Sequence, residues 1–269
     1  MKTARPKFDV DILKGALLND GYVQRRRARN VVKDVFTLAI DDVYRELPLP
    51  QRIVVNVDNI STPNSDVLAH VDIAHPDKIT VFWNKICNDP EYNTVETVML
   101  EGLLVHELVH VSGIIRWPYA PQRGHALFDH VVDEGKANAV ARDVMQQTYG
   151  EFAGEQFGVH QRVLRSEKID TIIALEDSFN SSSTVLSVAE YRAYKYRALS
   201  DRAAYVAGGL ICQQYMDQSG TDAFQMQGYR YDAFLPAYKE LRDMYTCTEP
   251  DYVQGKSNQT LFYDEIANE

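Results

Sequence analysis

Apolar residues recur at helical spacing along most of the chain, and this pattern predicts a helix-rich protein. Between residues 22 and 46, apolar side chains return every three or four positions with charged residues between them. Such spacing is typical of an amphipathic helix, and Leu47-Pro48-Leu49-Pro50 would stop it. The same reading predicts helices at about 10–18, 93–113, 125–147, 158–178, 186–199, 201–217 and 231–246.

Short segments rich in Val and Ile predict a small sheet ahead of the second long helix. They are residues 52–57, 67–73 and 78–84, and His75-Pro76-Asp77 would form the turn between the last two. The last strand could serve as an edge for an extended substrate, and an ordinary sheet strand is the alternative.

The composition is that of a soluble globular protein: of 269 residues, 45% are hydrophobic and 25% charged. A net charge of −10 argues against nucleic acid or an anionic membrane as partner. Cys87, Cys212 and Cys247 are too few and too far apart for a disulfide framework or a cysteine zinc site. We see no apolar N-terminal signal and no stretch approaching a membrane span, so we expect a cytoplasmic protein.

One predicted helix carries the motif His106-Glu107-Leu108-Val109-His110. Residues four apart on a helix share a face, so His106 and His110 can direct two imidazoles at one metal ion, with Glu107 beside them. Zinc hydrolases have this spacing, and their glutamate acts as a base toward water. The surrounding helix is strongly apolar, so these polar side chains need partners, which a metal ion would supply.

A catalytic zinc site needs a third protein ligand. The pattern follows that of the metzincins as far as Gly113, but their third ligand would fall at Arg116, and a guanidinium has no acceptor atom. The other candidates are Glu134 and Asp133 on the next predicted helix. Each interrupts an apolar stripe and therefore needs a cation or strong donors. Helical periodicity does not separate the two.

Two motifs together resemble those of the gluzincins, the thermolysin-like and aminopeptidase-like zinc peptidases. The histidine motif is followed some two dozen residues later by Asp133-Glu134-Gly135-Lys136-Ala137, similar to the Glu-Gly-x-Ala of that group. The chain is also similar to small predicted bacterial zinc-dependent proteases, in which a later helix carries a Tyr-x-x-Gly pattern comparable to Tyr205-Val206-Ala207-Gly208. The resemblance covers roughly residues 78–220 and is specific at the two ligand motifs.

This resemblance implies an α+β, mainly helical, zincin-like fold. A small, mostly antiparallel sheet from residues 52–84 would lie above the zinc helix, and a helical C-terminal half would follow. We expect a single catalytic domain over residues 1–269, with a helix and sheet lobe at 1–90 and a zinc-binding, helical lobe at 91–269.

The resemblance further implies that His106, His110 and Glu134 bind one Zn²⁺ per chain, and it selects Glu134 over Asp133. Glu107 would be the catalytic carboxylate. Two neighbours of Glu134 then have expected roles. Gly135, which lacks a Cβ, would let the ligand helix approach the HExxH helix closely.

Asn138 lies one turn after Glu134 and could hydrogen-bond the second ring nitrogen of a ligand histidine. Thermolysin-like enzymes have an aspartate at that place, so Asn138 departs from the pattern.

The implied reaction is hydrolysis of a peptide or similar amide bond. Glu107 would take a proton from water and pass it to the leaving amine, while a further donor stabilises the oxyanion. Candidates for that donor are Tyr205, His125, His130 and Arg116. Tyr205 is the predicted catalytic one because the glycines after it suggest close helix packing; a core tyrosine is the alternative.

The leading expectation is therefore a soluble zinc metallopeptidase with a peptide or protein substrate. A non-catalytic, zinc-stabilised binding protein is one alternative, although a structural site would not need Glu107. A toxin-like zinc hydrolase with one specific target is the other.

Overall fold

The structure, a computed structural model, describes residues 4–13, 22–58, 68–72, 74–83, 86, 96–117, 126–151, 153–154 and 203–246. Its strands are β1 (Lys7–Ile12), β2 (Arg52–Asp58), β3 (Ala69–Asp72) and β4 (His75–Phe82). Its helices are α1 (Tyr22–Val43), α2 (Glu96–Arg116), α3 (Ala126–Tyr149), α4 (Ala203–Ser219), α5 (Ala223–Met226) and α6 (Leu235–Thr246), with a 3₁₀-helix at Tyr231–Phe234. The predicted α+β class is confirmed. The helices predicted at 158–178 and 186–199 lie outside the described residues.

The sheet is mixed and has the strand order β1-β2-β4-β3. β1 pairs in parallel with β2, β2 pairs in parallel with β4, and β3 alone is antiparallel, at one edge. The predicted mostly antiparallel sheet is therefore wrong. β1 and β2 are joined through α1, and a helical crossover brings the chain back to the same end of the sheet, which makes the two strands parallel.

β1 overlaps the first three residues of the helix predicted at 10–18, so residues 10–12 are a strand. Charged and apolar residues alternate along Lys7–Ile12, and Val10 is buried at 3% exposure. Val10 pairs with Val55 of β2, whose own Ile53, Val55 and Val57 are fully buried. The period of two decides the conformation because it places one apolar face on the core.

The hairpin of β3 and β4 turns earlier than predicted. His75, Pro76 and Asp77 lie within β4 and not in a turn, since Asp72 pairs with His75 across the hairpin. The Asp72 carboxylate accepts a hydrogen bond from the Ala74 amide at 2.9 Å, which fixes the turn. β4 lies between β2 and β3, so the edge strand beside it is β3.

Residues Met1–Ala120 and Ala137–Gly158 group into a first compact unit. Within it α2 packs on α1, β3 and β4. The buried face of α1 comprises Ala28, Val32, Val35, Phe36, Ala39, Ile40 and Val43, whereas Leu38 of the same helix is 47% exposed. α2 continues past its predicted end at Gly113, because the Trp117 amide donates to the Gly113 carbonyl at 2.8 Å.

Thr97–Arg116 is long and apolar enough to cross a membrane by length and composition, contrary to the expectation from the sequence. In the structure 67% of this window is buried. The helix lies against α1 and the sheet, and core helices commonly have such a composition.

The second unit comprises Pro121–Lys136 and Val159–Glu269. Its described part contains the first half of α3, then α4, α5, the 3₁₀-helix and α6, and α6 packs on α4. These helices confirm the predictions at 125–147, 201–217 and 231–246, the last of which begins with the 3₁₀ turn. α3 is one continuous helix. Its residues up to Lys136 belong to the second unit, and those from Ala137 onward belong to the first.

Candidate metal centre

α2 brings two imidazole rings together on one face. His106 is 6% exposed and His110 is half-buried, and their Nε2 atoms are 3.0 Å apart. The rings meet edge to face with centroids 4.7 Å apart. Glu107, the residue between them and next to His106, is 4% exposed. The helical spacing of the motif thus has the geometric result expected from the sequence.

Asn138 on α3 fixes the orientation of the His106 ring. Its Oδ1 atom lies 3.0 Å from His106 Nδ1. An amide oxygen only accepts hydrogen bonds, so the proton of the neutral imidazole is on Nδ1 and the lone pair is on Nε2. The predicted hydrogen bond between Asn138 and a histidine's second nitrogen is confirmed, with Asn138 as acceptor, and the Nε2 lone pair of His106 faces His110.

Glu134 lies one turn before Asn138 on α3 and is 6% exposed. One ligand atom each from His106, His110 and Glu134 lies within 4.8 Å of the others. Among the described residues, these three form a buried group that could hold a metal ion.

Asp133 has a different environment from its neighbour. It is half-buried, and its Oδ1 atom lies 3.5 Å from the Tyr231 hydroxyl in the 3₁₀-helix. The two carboxylates that periodicity could not separate thus have different neighbours: Glu134 lies near the two histidines, and Asp133 lies near the Tyr231 hydroxyl.

Gly135 makes the close helix contact predicted for it, but with a different helix. A Cβ at Gly135 would overlap the backbone of Gly208 on α4, and a Cβ at Gly208 would overlap the Val131 carbonyl and the Gly135 backbone. The expected contact with the HExxH helix is thus corrected to a contact with α4. Two glycines are needed because the two helix backbones touch at this point.

Lys136, which the sequence analysis did not single out, is 3% exposed. Its Nζ atom donates to the Tyr229 carbonyl at 2.6 Å and lies 5.0 Å and 4.9 Å from the ring centroids of Tyr231 and Phe234. The Gln227 side chain donates to the Lys136 carbonyl at 3.3 Å. A buried ammonium needs such partners. In the sequence Lys136 occupies the variable position of the Glu-Gly-x-Ala pattern, so nothing marked it as special.

The four candidates for oxyanion stabilisation have different positions. His130 is 7% exposed, lies one turn before Glu134, and has its Nε2 atom 3.7 Å from Glu134 Oε1. Arg116 is half-buried at the end of α2, and His125 lies outside the described residues. Tyr205 is half-buried on α4, three residues before Gly208. Its catalytic role stays a prediction.

Comparison with known proteins gives no relative. No family model matches the chain, and neither the curated proteins nor the solved structures contain a significant match. The likeness to gluzincins therefore rests on this chain's own residues.

Proposed function

We propose that the protein is a zinc-dependent peptidase of gluzincin type, in which Glu107 is the general base. The observation that carries this proposal is the cluster of two histidines and a glutamate with a buried glutamate next to the first histidine. Two histidines, one carboxylate and a remaining open position are the ligand set of thermolysin-type catalytic zinc.

The donor geometry supports a metal ion of this kind. Two imidazole Nε2 atoms at 3.0 Å require a cation or a proton between their lone pairs. Ligand atoms about 2.1 Å from a tetrahedral zinc lie roughly 3.4 Å apart. The three ligand atoms lie within 4.8 Å of one another, so small side-chain rotations suffice for binding.

Each residue of the centre has a separate task in the proposed reaction. Zinc, when bound, lowers the pKa of water and polarises a carbonyl group. Asn138 keeps the proton of His106 on Nδ1, so that Nε2 presents its lone pair to a metal. The Glu107 carboxylate takes a proton from water and delivers it to the leaving amine. His130 and Tyr205 are the candidates for donating to the oxyanion.

A peptide substrate is supported by the edge strand of the sheet. β3 pairs with β4 on one side, and no described strand pairs with its other side. β3 also packs on α2, the helix of the two histidines. An extended peptide could add to such an edge through main-chain hydrogen bonds.

Replacement of Glu107 by Gln tests the proposal. The variant should keep about one zinc per chain, because both histidines and Glu134 remain, and its kcat/KM should fall by at least about 100-fold because the base is lost. Zinc content and cleavage of a fluorogenic peptide library give the two measurements.

Glu46→Gln, an exposed change of the same kind, is the matched control and should retain full activity. Undiminished cleavage by Glu107→Gln would refute the mechanism. If the wild-type protein holds zinc but cleaves no peptide in the library, the proposed peptidase function is wrong. The protein would then be a zinc-stabilised binding protein or an enzyme with one specific target.

A further inference from the structure

A pair of carboxyl groups joins α1 to α2 inside the first unit. Glu101 is 1% exposed and lies on α2, five residues before His106. Asp42 lies in the last turn of α1, which packs on α2. Asp42 Oδ2 and Glu101 Oε1 are both buried, and each carboxyl group is close enough to the other to change its pKa.

One oxygen of Glu101 accepts a hydrogen bond, whereas one further oxygen of each carboxyl group has no donor among the described residues. The Tyr149 hydroxyl donates to Glu101 Oε2 at 2.7 Å. Glu101 Oε1 and Asp42 Oδ2 are buried, and no N–H or O–H group in the described part of the chain reaches either atom. Two ionised carboxylates have no proton to share and repel each other. The two buried oxygens can therefore satisfy each other only if one of the two carboxyl groups is protonated.

We propose that Asp42 and Glu101 form a buried binding site for a single proton, which links α1 to the helix of the metal centre. A metal ion is the other cation that could neutralise the pair. However, Ca²⁺ takes six or more oxygen ligands, and Mg²⁺ takes six. Here one oxygen of Glu101 already accepts from Tyr149, so the pair offers too few ligands, whereas a proton needs only one oxygen from each residue.

The electrostatic surroundings agree with this geometry. Burial raises the pKa of Glu101 to about 7; the Tyr149 hydrogen bond opposes this rise and Asp42 adds to it. Burial also raises the pKa of Asp42; the interaction with Glu101 opposes this rise, and the charge of the neighbouring Asp41 adds to it. β3 and β4 also pack on α2, but none of their described residues acts on the charge of Glu101.

The sign of the pH effect follows from the raised pKa of Glu101. Below the ordinary glutamate pKa of 4.5 both the folded and the unfolded chain hold the proton, and the pair contributes its full stability. As the pH rises toward 7, the unfolded chain releases the proton first, so this contribution is lost. At higher pH two negative charges face each other between α1 and α2.

Thermal unfolding of the full chain between pH 5.5 and 8 tests the site. Glu101→Gln keeps an acceptor for Tyr149 and supplies an N–H donor to Asp42, and Asp42→Asn supplies a donor to Glu101. Neither variant needs the proton. With rising pH the wild-type midpoint should fall relative to each variant by roughly 5 °C.

Asp34→Asn is the control, because Asp34 is an exposed acid on the same helix and should leave the wild-type pH profile unchanged. Parallel pH profiles for all four proteins would overturn the proposal.

Infrared difference spectra between pH 5.5 and 8 detect the protonated carboxyl group in the folded protein. This measurement does not depend on how stable each variant is. The wild type and Asp34→Asn should show the carbonyl band of a buried carboxylic acid, and both site variants should lack it. Its absence from the wild type would mean that no proton is bound. Stabilisation by added Ca²⁺ or Mg²⁺ that both site variants lose would mean that a metal ion occupies the pair, which also contradicts the proposal.

Discussion

At the scale of single residues, the centre depends on which of two adjacent carboxylates faces the histidines. Glu134 lies with His106 and His110, and Asp133 lies near the Tyr231 hydroxyl. Both interrupt apolar stripes of the same helix, so the sequence pattern could not separate them. The two side chains differ because Asp133 contacts Tyr231, about a hundred positions later in the chain. The periodicity of a single helix carries no information about such distant contacts.

Equilibrium zinc affinity separates the two residues. Glu134→Gln should raise the zinc dissociation constant by at least about 100-fold, since changes beyond the ligands already cost 10–100-fold. Asp133→Asn, the matched control, should change it by less than about threefold. Competition with a chelator of known affinity measures both constants. Equal losses in the two variants would contradict the assignment of Glu134 as third ligand.

One residue-scale feature was predictable because it needs only helical geometry: the meeting of His106 with His110 follows from a spacing of four. The hydrogen bond that Asn138 accepts from His106 also requires that α3 packs beside α2, which the expected metal site implied. Lys136 was missed because its partners are a backbone carbonyl and aromatic rings brought near by folding.

At the scale of elements, Glu134 is positioned by helix packing that involves Gly135 and Gly208. The backbones of α3 and α4 touch there, so the orientation of α3 depends on both residues lacking a Cβ. The sequence predicted a close helix contact at Gly135 but named the wrong partner helix. A small residue indicates that another segment packs closely against it, but not which segment. β1 was missed because it has only six residues, three of them charged, so its apolar alternation is short. Its strand conformation depends on pairing with β2, which the sequence of β1 alone does not show.

Gly208→Ala should destabilise the protein by about 3 kcal/mol, because the new methyl group overlaps backbone atoms that cannot rotate away. The sign of the change in unfolding free energy reveals the helix contact, because Gly→Ala in an unobstructed helix stabilises a protein by up to about 1 kcal/mol. Urea unfolding followed by circular dichroism measures the change.

Gly220→Ala is the comparison variant. Gly220 has a φ of +68° and nothing within 4 Å of an added Cβ, so only backbone strain of about 1 kcal/mol applies. A Gly208→Ala protein as stable as the wild type would show that the two helices do not touch at this point.

At the scale of the whole molecule, metal binding and folding should be coupled, because the three candidate ligand side chains come from positions 106 to 134 and meet only in the folded chain. Free zinc at 100 times its dissociation constant should add about 2.7 kcal/mol of stability and raise the unfolding midpoint by roughly 5–10 °C. Thermal scans with zinc and with a chelator measure the shift. In Glu134→Gln the shift should largely disappear, and an undiminished shift there would place the stabilising zinc elsewhere.

The parallel pairing of β1 with β2 also sets an order of events during synthesis. The β1–α1–β2 crossover is complete at Asp58, when no candidate metal ligand has yet left the ribosome. N-terminal segments fold first as a chain emerges, so this crossover can form before the helix that carries the histidines is made. A metal ion at the candidate centre could therefore bind only after translation has passed Glu134, by which time β1, α1 and β2 have all been made.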